Sequence, residues 1–308
     1  MSRSPTVSDR AEEWIHRFID DLATHEDLNP KTLRDYASDL RHFAVWVETG
    51  WNNYQEEEQV FHPSEITTPT LIRYREYMQT VRSFKPATIN RRLITIKRYF
   101  EWAVKRGVVP LNPAQPVKLV AAEKTSPRQM TDQEEAVLVA AVQRHGTIRE
   151  RTIILLMLHT GLRTMEVCDL RCRDVVLGKR SGRLMVRSGK RNKQREVPLN
   201  VTIRTALEEY LATQDTQGDD YLFRSEKTGG RLGERALRHL IQKYMRLAGL
   251  EGLSAHDLRH RFGYVMAERT PLHRLAQIMG HDSLDTTMIY VQATRSDLQA
   301  EVEKIAWQ

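Results

Sequence analysis

The sequence predicts a mostly α-helical chain with a small β-sheet, divided into an all-helical N-terminal domain and a mixed α/β C-terminal domain. Three observations carry this. Apolar residues recur at helical spacing through the first hundred residues. A stretch of weak periodicity follows, punctuated by Asn112-Pro113, Pro116 and Ser126-Pro127. Beyond it, helical patterns flank two short strand-like runs joined by Gly-Lys-Arg-Asn-Lys-Gln, a turn composition. The expected organisation is a first domain over 1–113, a linker over 114–129 and a second domain over 130–308.

In order along the chain, Trp14, Ile15, Phe18, Ile19 and Leu22 mark the first helix. Leu33, Tyr36, Ala37, Leu40, Phe43, Ala44 and Val47 mark the second, opened by Asn29-Pro30. Thr68-Pro69 is expected to open a third before Ile72. Ile89, Leu93, Ile96, Phe100 and Ala103 form the stripe of a fourth, which Gly107 ends. In the second domain, Thr131 and Glu134 form a capping box, and Ile148 to Leu158 is a strongly apolar helix closed near Gly161. A short helix over Met165 to Leu170 precedes strands at Asp174 to Leu177, Arg183 to Arg187 and Arg195 to Leu199. Helices are expected at Ile203 to Thr213, Glu234 to Ala248, Ser254 to Ala267 and Leu272 to Met279, with a last one over Asp297 to Ile305.

Composition narrows the function classes. The chain has 308 residues, with 47 Lys+Arg against 40 Asp+Glu and a formal net charge of +7. A basic surface favours a polyanionic partner, because neutralised phosphates release counterions. From Val81 to Gly107 there are eight Lys/Arg and one acid, Glu101. A solvated helix face usually mixes its charges. The preferred reading is therefore a DNA-backbone surface, with Arg91, Arg92, Lys97 and Arg98 as contacts. Cys168 and Cys172 are too few for a disulfide framework and lack the further ligands of a zinc site, so they read as small side chains in a reducing compartment. The first ten residues have no apolar core, and no run of about twenty apolar residues exists, so a cytoplasmic protein is expected.

Metal-dependent nuclease chemistry needs clustered carboxylates, and no convincing cluster stands out. A phosphate-binding Gly-rich loop and a His-Glu-x-x-His motif are also lacking. No ATP, catalytic metal or other cofactor is expected. What stands out instead is a set of phosphate-friendly residues. Thr160-Gly161-Leu162-Arg163-Thr164-Met165-Glu166 puts an arginine at a helix start after a glycine turn. His256-Asp257-Leu258-Arg259-His260 puts His256 and Arg259 three apart. Gly280-His281 sits at a helix stop, with Tyr290 nine residues on, and Lys190 lies at the tip of a basic hairpin. Singly, each has an ordinary structural explanation: a core tyrosine, a structural His-x-x-Arg pair, an exposed basic turn.

As an ordered set, these motifs resemble the tyrosine recombinase family, the phage integrases and Xer-type recombinases, over nearly the whole chain. Thr160 to Val167 resembles the family's first arginine motif, and Ser188 to Leu199 its lysine hairpin. His256 to His260 matches its His-x-x-Arg motif. Met279-Gly280-His281, Thr286-Thr287 and Tyr290 resemble the closing motif with its nucleophile, and Pro86 to Leu93 resembles the DNA-clamping domain. Thr164-Met165 departs from the commoner small and polar pair, and Arg191 stands where glycine is frequent.

The resemblance implies a SAM-like core-binding domain and an α/β catalytic domain that together encircle duplex DNA. It implies site-specific cleavage and rejoining through a 3′-phosphotyrosyl intermediate, serving integration, excision or chromosome or plasmid dimer resolution. The implied catalytic residues are Arg163, Lys190, His256, Arg259, His281 and Tyr290, supported by Glu166, with Arg191 and Lys193 as further DNA contacts. The implied partners are a double-stranded DNA recombination site and other subunits, either copies of this chain or a related recombinase, in a tetramer on two sites. The helix at 297–305 would dock into a neighbour. Two rival readings are a type IB-like topoisomerase and a non-catalytic DNA-binding regulator.

Overall fold

Helices α1 (Asp9–His25), α2 (Pro30–Asn52), α3 (Thr68–Thr80) and α4 (Pro86–Lys105) build the first part of the chain in the computed structural model, which describes residues 7–52, 60–121, 128–187, 194–215 and 218–293. The chain divides into two units, Met1–Lys124 and Thr125–Gln308. In the first, Ser8 caps α1 by accepting from the Ala11 N–H at 3.2 Å and is itself held by Glu48. The stripes foreseen from spacing meet in one core: Ile15, Phe18 and Leu22 of α1, Phe43 and Val47 of α2, and Ile89, Ile96 and Phe100 of α4 are buried.

Two local details differ from the sequence reading. Thr67, not Thr68, caps α3, its hydroxyl accepting from the Thr70 N–H at 3.4 Å, while the Thr68 hydroxyl donates to the Pro113 carbonyl at 2.8 Å. The stretch read as a linker from 114 begins as part of the first unit. Ala114 and Val117 are buried, and the Asn90 amide pairs with both backbone groups of Val120.

The second unit starts with the expected capping box, Thr131 with Glu134, at the head of α5 (Asp132–His145). Helix α6 (Ile148–Thr160) is buried on every side from Thr152 to Leu158 and packs against α5, α8 (Val201–Ala212) and α10 (Ala255–Ala267). Each fully buried Leu or Ile of this kind contributes about 1.5–3 kcal/mol. After α7 (Thr164–Asp169) and a 3-10 turn at Cys172–Asp174, strands β1 (Val175–Leu177), β2 (Gly182–Arg187) and β3 (Gln194–Pro198) form an antiparallel sheet in the order β1-β2-β3. The turn starts β1 one residue later than expected, and it leaves Cys172 half-buried beyond the helix that buries Cys168. Leu184 faces Val197 across the β2–β3 pair, and both are buried.

Helices α9 (Glu234–Leu247), α11 (Leu272–Met279) and α12 (Asp285–Ala293) complete the unit. Residue spacing predicts no element over α12. Thr286, Thr287, Ile289 and Val291 are β-branched and weaken local helix preference. Packing against α10 and α11 makes the segment helical. The helix expected over 297–305 lies outside the described residues. Among those described, no helix is long and apolar enough to cross a membrane.

Candidate active site

The site grows from three helix ends in the second unit. Helix α6 stops at Gly161, whose φ of 61° is left-handed, and a Cβ there would stand 2.4 Å from Phe262 Cδ1. The next turn delivers Arg163 to the start of α7. Glu166, one turn on and only 8% exposed, reaches back to it. Its Oε2 accepts from the Arg163 backbone N–H at 2.8 Å and its Oε1 from Arg163 Nη1 at 3.0 Å. Each oxygen takes a second bond from Arg195 of β3, from Nη1 at 2.8 Å and from Nη2 at 2.9 Å. Burial pushes the Glu166 pKa up, but the Arg195 and Arg163 contacts outweigh it, and the carboxyl sits below its ordinary value.

Helix α10 opens on Ser254, whose N–H and hydroxyl both donate to Asp257 at 2.7 Å. One turn on, Arg259 is 2% exposed. It donates to the Gly161 carbonyl at 2.5 Å and, from Nη2, to the Met279 carbonyl at 2.9 Å and His281 Nε2 at 2.8 Å. Burial, then the like charge of Arg163, lowers its pKa to about 10, which leaves it cationic at neutral pH.

The C-terminus of α11 gathers these groups. Its closing carbonyls, Ile278, Met279 and Gly280, each accept from a different guanidinium: Arg195 at 2.8 Å, Arg259 at 2.9 Å and Arg163 at 2.9 Å. Helix C-termini carry unpaired carbonyls and partial negative charge, so cations suit them. Gly280 then turns the chain with φ 67°. His281 follows, with Nδ1 2.7 Å from the Thr287 hydroxyl. Arginine only donates, so His281 Nε2 accepts and Nδ1 carries the proton. Burial and then Arg259 push the His281 pKa down to about 4, in keeping with a neutral ring.

Tyr290 lies on α12 beside this cluster. Its ring is nearly parallel to that of His281, at 13° with centroids 6.3 Å apart, and edge-on to Tyr264 at 5.1 Å. The phenol is 1% exposed, and its oxygen lies 3.2 Å from His260 Nδ1. Burial pushes its pKa up to about 12, against the pull of Arg259 and Arg163. His260 in turn meets exposed His256, ring to ring at 4.4 Å. Burial and then Arg259 lower the His256 pKa.

Arg163, Glu166, Arg259, His281 and Tyr290 are thus brought together, with His256 at the edge. Lys190, Arg191 and Lys193 lie outside the described residues. Two groups at the centre escaped the sequence reading. His260 falls four residues after His256, which stacks the two on one helix face. Arg195 alternates with buried Val197, a signal that it faces inward.

The basic residues of α4 belong to the first unit, and their acids come from outside that helix. Arg91 Nη1 is 2.5 Å from Asp39 and Arg92 Nε 3.6 Å from it, while Arg98 pairs with Glu26 and Lys97 donates to the Gln115 carbonyl at 3.1 Å. The run of one sign in the sequence is therefore a balanced surface in space at Arg91 and Arg98.

Comparison with known proteins bears on this architecture. The phage integrase family pattern matches residues 128–297, and that of the phage integrase N-terminal SAM-like domain matches residues 15–107. The chain belongs to the phage integrase family of tyrosine recombinases. The recombinase is 30% identical to Tyrosine recombinase XerC of Myxococcus xanthus over 298 residues, covering 92% of this chain and 94% of the relative. It is 28% identical to Tyrosine recombinase XerC of Thermodesulfovibrio yellowstonii over 302 residues, 94% of each chain. The fold matches a crystal structure of the XerH site-specific recombinase bound to palindromic difH substrate in a post-cleavage complex, with a TM-score of 0.72 and 19% identity over 98% of both chains.

Proposed function

We propose that this recombinase exchanges strands at a specific duplex DNA site by transesterification, with Tyr290 as the nucleophile. The observation that carries the reading is the convergence of Arg163, Arg259 and His281 on the end of α11, beside the Tyr290 ring. Three guanidinium groups gather there and Glu166 offsets one charge, which leaves a field suited to an anionic phosphodiester.

A phenol attacking phosphorus conserves the energy of the broken ester as a 3′-phosphotyrosyl link and frees a 5′-hydroxyl for the reverse step. Arg163 and Arg259 hold the nonbridging oxygens as negative charge gathers on them, each such donor being worth about 100- to 1000-fold in rate. Lys190 protonates the departing 5′-oxygen. His281 donates to the phosphate once Arg259 turns to the substrate, because the Thr287 hydroxyl can bond either ring tautomer. The phenol proton passes towards the His260–His256 pair. The phenol is 1% exposed, so its attack on phosphorus requires α12 to shift and present Tyr290. The enzyme acts in the cytoplasm as a tetramer on two sites, with the segment at 297–305 docking into a neighbouring subunit.

A nicked trapping substrate tests the reading. The parent should form a covalent DNA–protein band, Tyr290→Phe should abolish it while retaining DNA binding, and Tyr264→Phe should keep it. An adduct formed by Tyr290→Phe would overturn the assignment.

A further inference from the structure

We propose that Arg195 is a positioning residue for this reaction, fixing Arg163 through Glu166 and the turn that carries His281 through the Ile278 carbonyl. The inference rests on the function proposed above and extends it to a side chain outside the catalytic set.

The placement starts from the sheet. Arg195 pairs with Val186 and lies two residues from Val197, both of which are buried, so the alternation of β3 turns it to the core-facing side. Its side chain is only 13% exposed. A cation there is costly unless it is paired and hydrogen-bonded. Every nitrogen of the guanidinium has a partner: Nη1 and Nη2 fork onto the two oxygens of Glu166, and Nε donates to Ile278 O at 2.8 Å.

These contacts define a frame. Glu166 spends its remaining acceptor capacity on Arg163, so the Arg195 fork sets the plane from which Arg163 extends. The Nε bond anchors α11 two residues before Gly280, and a Cβ on Gly280 would lie 2.7 Å from Arg195 Nη1. Glycine at 280 thus serves both the left-handed turn and the close approach of Arg195. One planar group touches the supports of two phosphate-directed side chains, Arg163 and His281. Lysine supplies the charge but neither the fork nor the third directed bond.

The test uses the full chain with R195K and R195Q. Single-turnover adduct formation at saturating nicked DNA should slow by about 100-fold in both variants, the scale of a misplacement of about 1 Å, with single-site affinity unchanged. R195Q should cost less in the R163A background than in the parent, because the route through Glu166 to Arg163 is already lost and only the one through the His281 turn remains. Histidine nitrogen NMR gives a readout free of activity. His281 should titrate near 4 in the parent and move up towards 6.5 in R195K, which keeps the charge but releases the turn. A parental rate in R195K overturns the inference, since a buried charge would then suffice. So does a loss from R195Q as large in the R163A background as in the parent, since Arg195 would then act independently of Arg163. If the parent forms no adduct, the proposed function fails instead. The His281 titration then decides the role of Arg195, and an unmoved value in R195K overturns it.

Discussion

Replacing Glu166 with alanine is the sharpest stability test of the cationic frame. The carboxylate is 8% exposed and accepts four N–H bonds, two from Arg163 and two from Arg195. Its removal strands Arg195, whose side chain is 13% exposed, without a counter-charge. Breaking a buried pair in this way costs about 3–5 kcal/mol. The Arg163 side chain is 43% exposed and regains water, so the lower end, about 3 kcal/mol, is expected. For a unit of this size that corresponds to a fall in Tm of about 6–12 °C. The pH dependence follows from the depressed carboxyl pKa. A group lowered on folding contributes stability that is present above its unfolded value, here 4.5, and is lost as pH falls through the folded value. Calorimetry of the full chain should therefore find the full gap between parent and Glu166→Ala at pH 7 and a narrower one below about pH 4. A gap under about 1 kcal/mol at pH 7, or one that widens on acidification, would refute the reasoning.

Three further substitutions probe other joints. Gly280→Ala meets a φ of 67° and a contact of 2.7 Å with Arg195 Nη1, so it should cost about 1–2 kcal/mol in backbone strain and slow adduct formation on the trapping substrate. Gly263→Ala drives a Cβ to 2.4 Å from Tyr290 Cζ. It should destabilise the unit by about 1–3 kcal/mol and speed limited proteolysis within α12; unchanged cleavage there would contradict the close packing. Arg91→Ala removes the partner 2.5 Å from Asp39, which is 1% exposed. It should lower unfolding stability without DNA by about 1–3 kcal/mol, whereas a side chain kept only for DNA contact would leave that value unchanged.

Much of the site was legible because its signals are local. The turn at Gly161, the capping box at Thr131, the helix opening near Ser254 and the i,i+3 spacing of His256 and Arg259 depend on a few neighbouring residues. The misreadings also have local causes. Thr67 and Thr68 are both sound caps by composition, and only the hydrogen bond from Thr68 to Pro113, far along the chain, separates them. The β-branched run of α12 masked a helix whose stability comes from α10 and α11.

By itself the sequence determined the helical and strand periods, the two-part organisation and the ordered motifs of a tyrosine recombinase. Those follow from side-chain spacing and residue chemistry along a short stretch of backbone. Only the tertiary structure decided which charges pair and which groups are buried: Arg195 with Glu166, Arg91 with Asp39, and the Tyr290 phenol beside His260. The partners in these contacts are separated by 29, 52 and 30 residues. Burial and pairing depend on which surfaces fold together, and no local period carries that information.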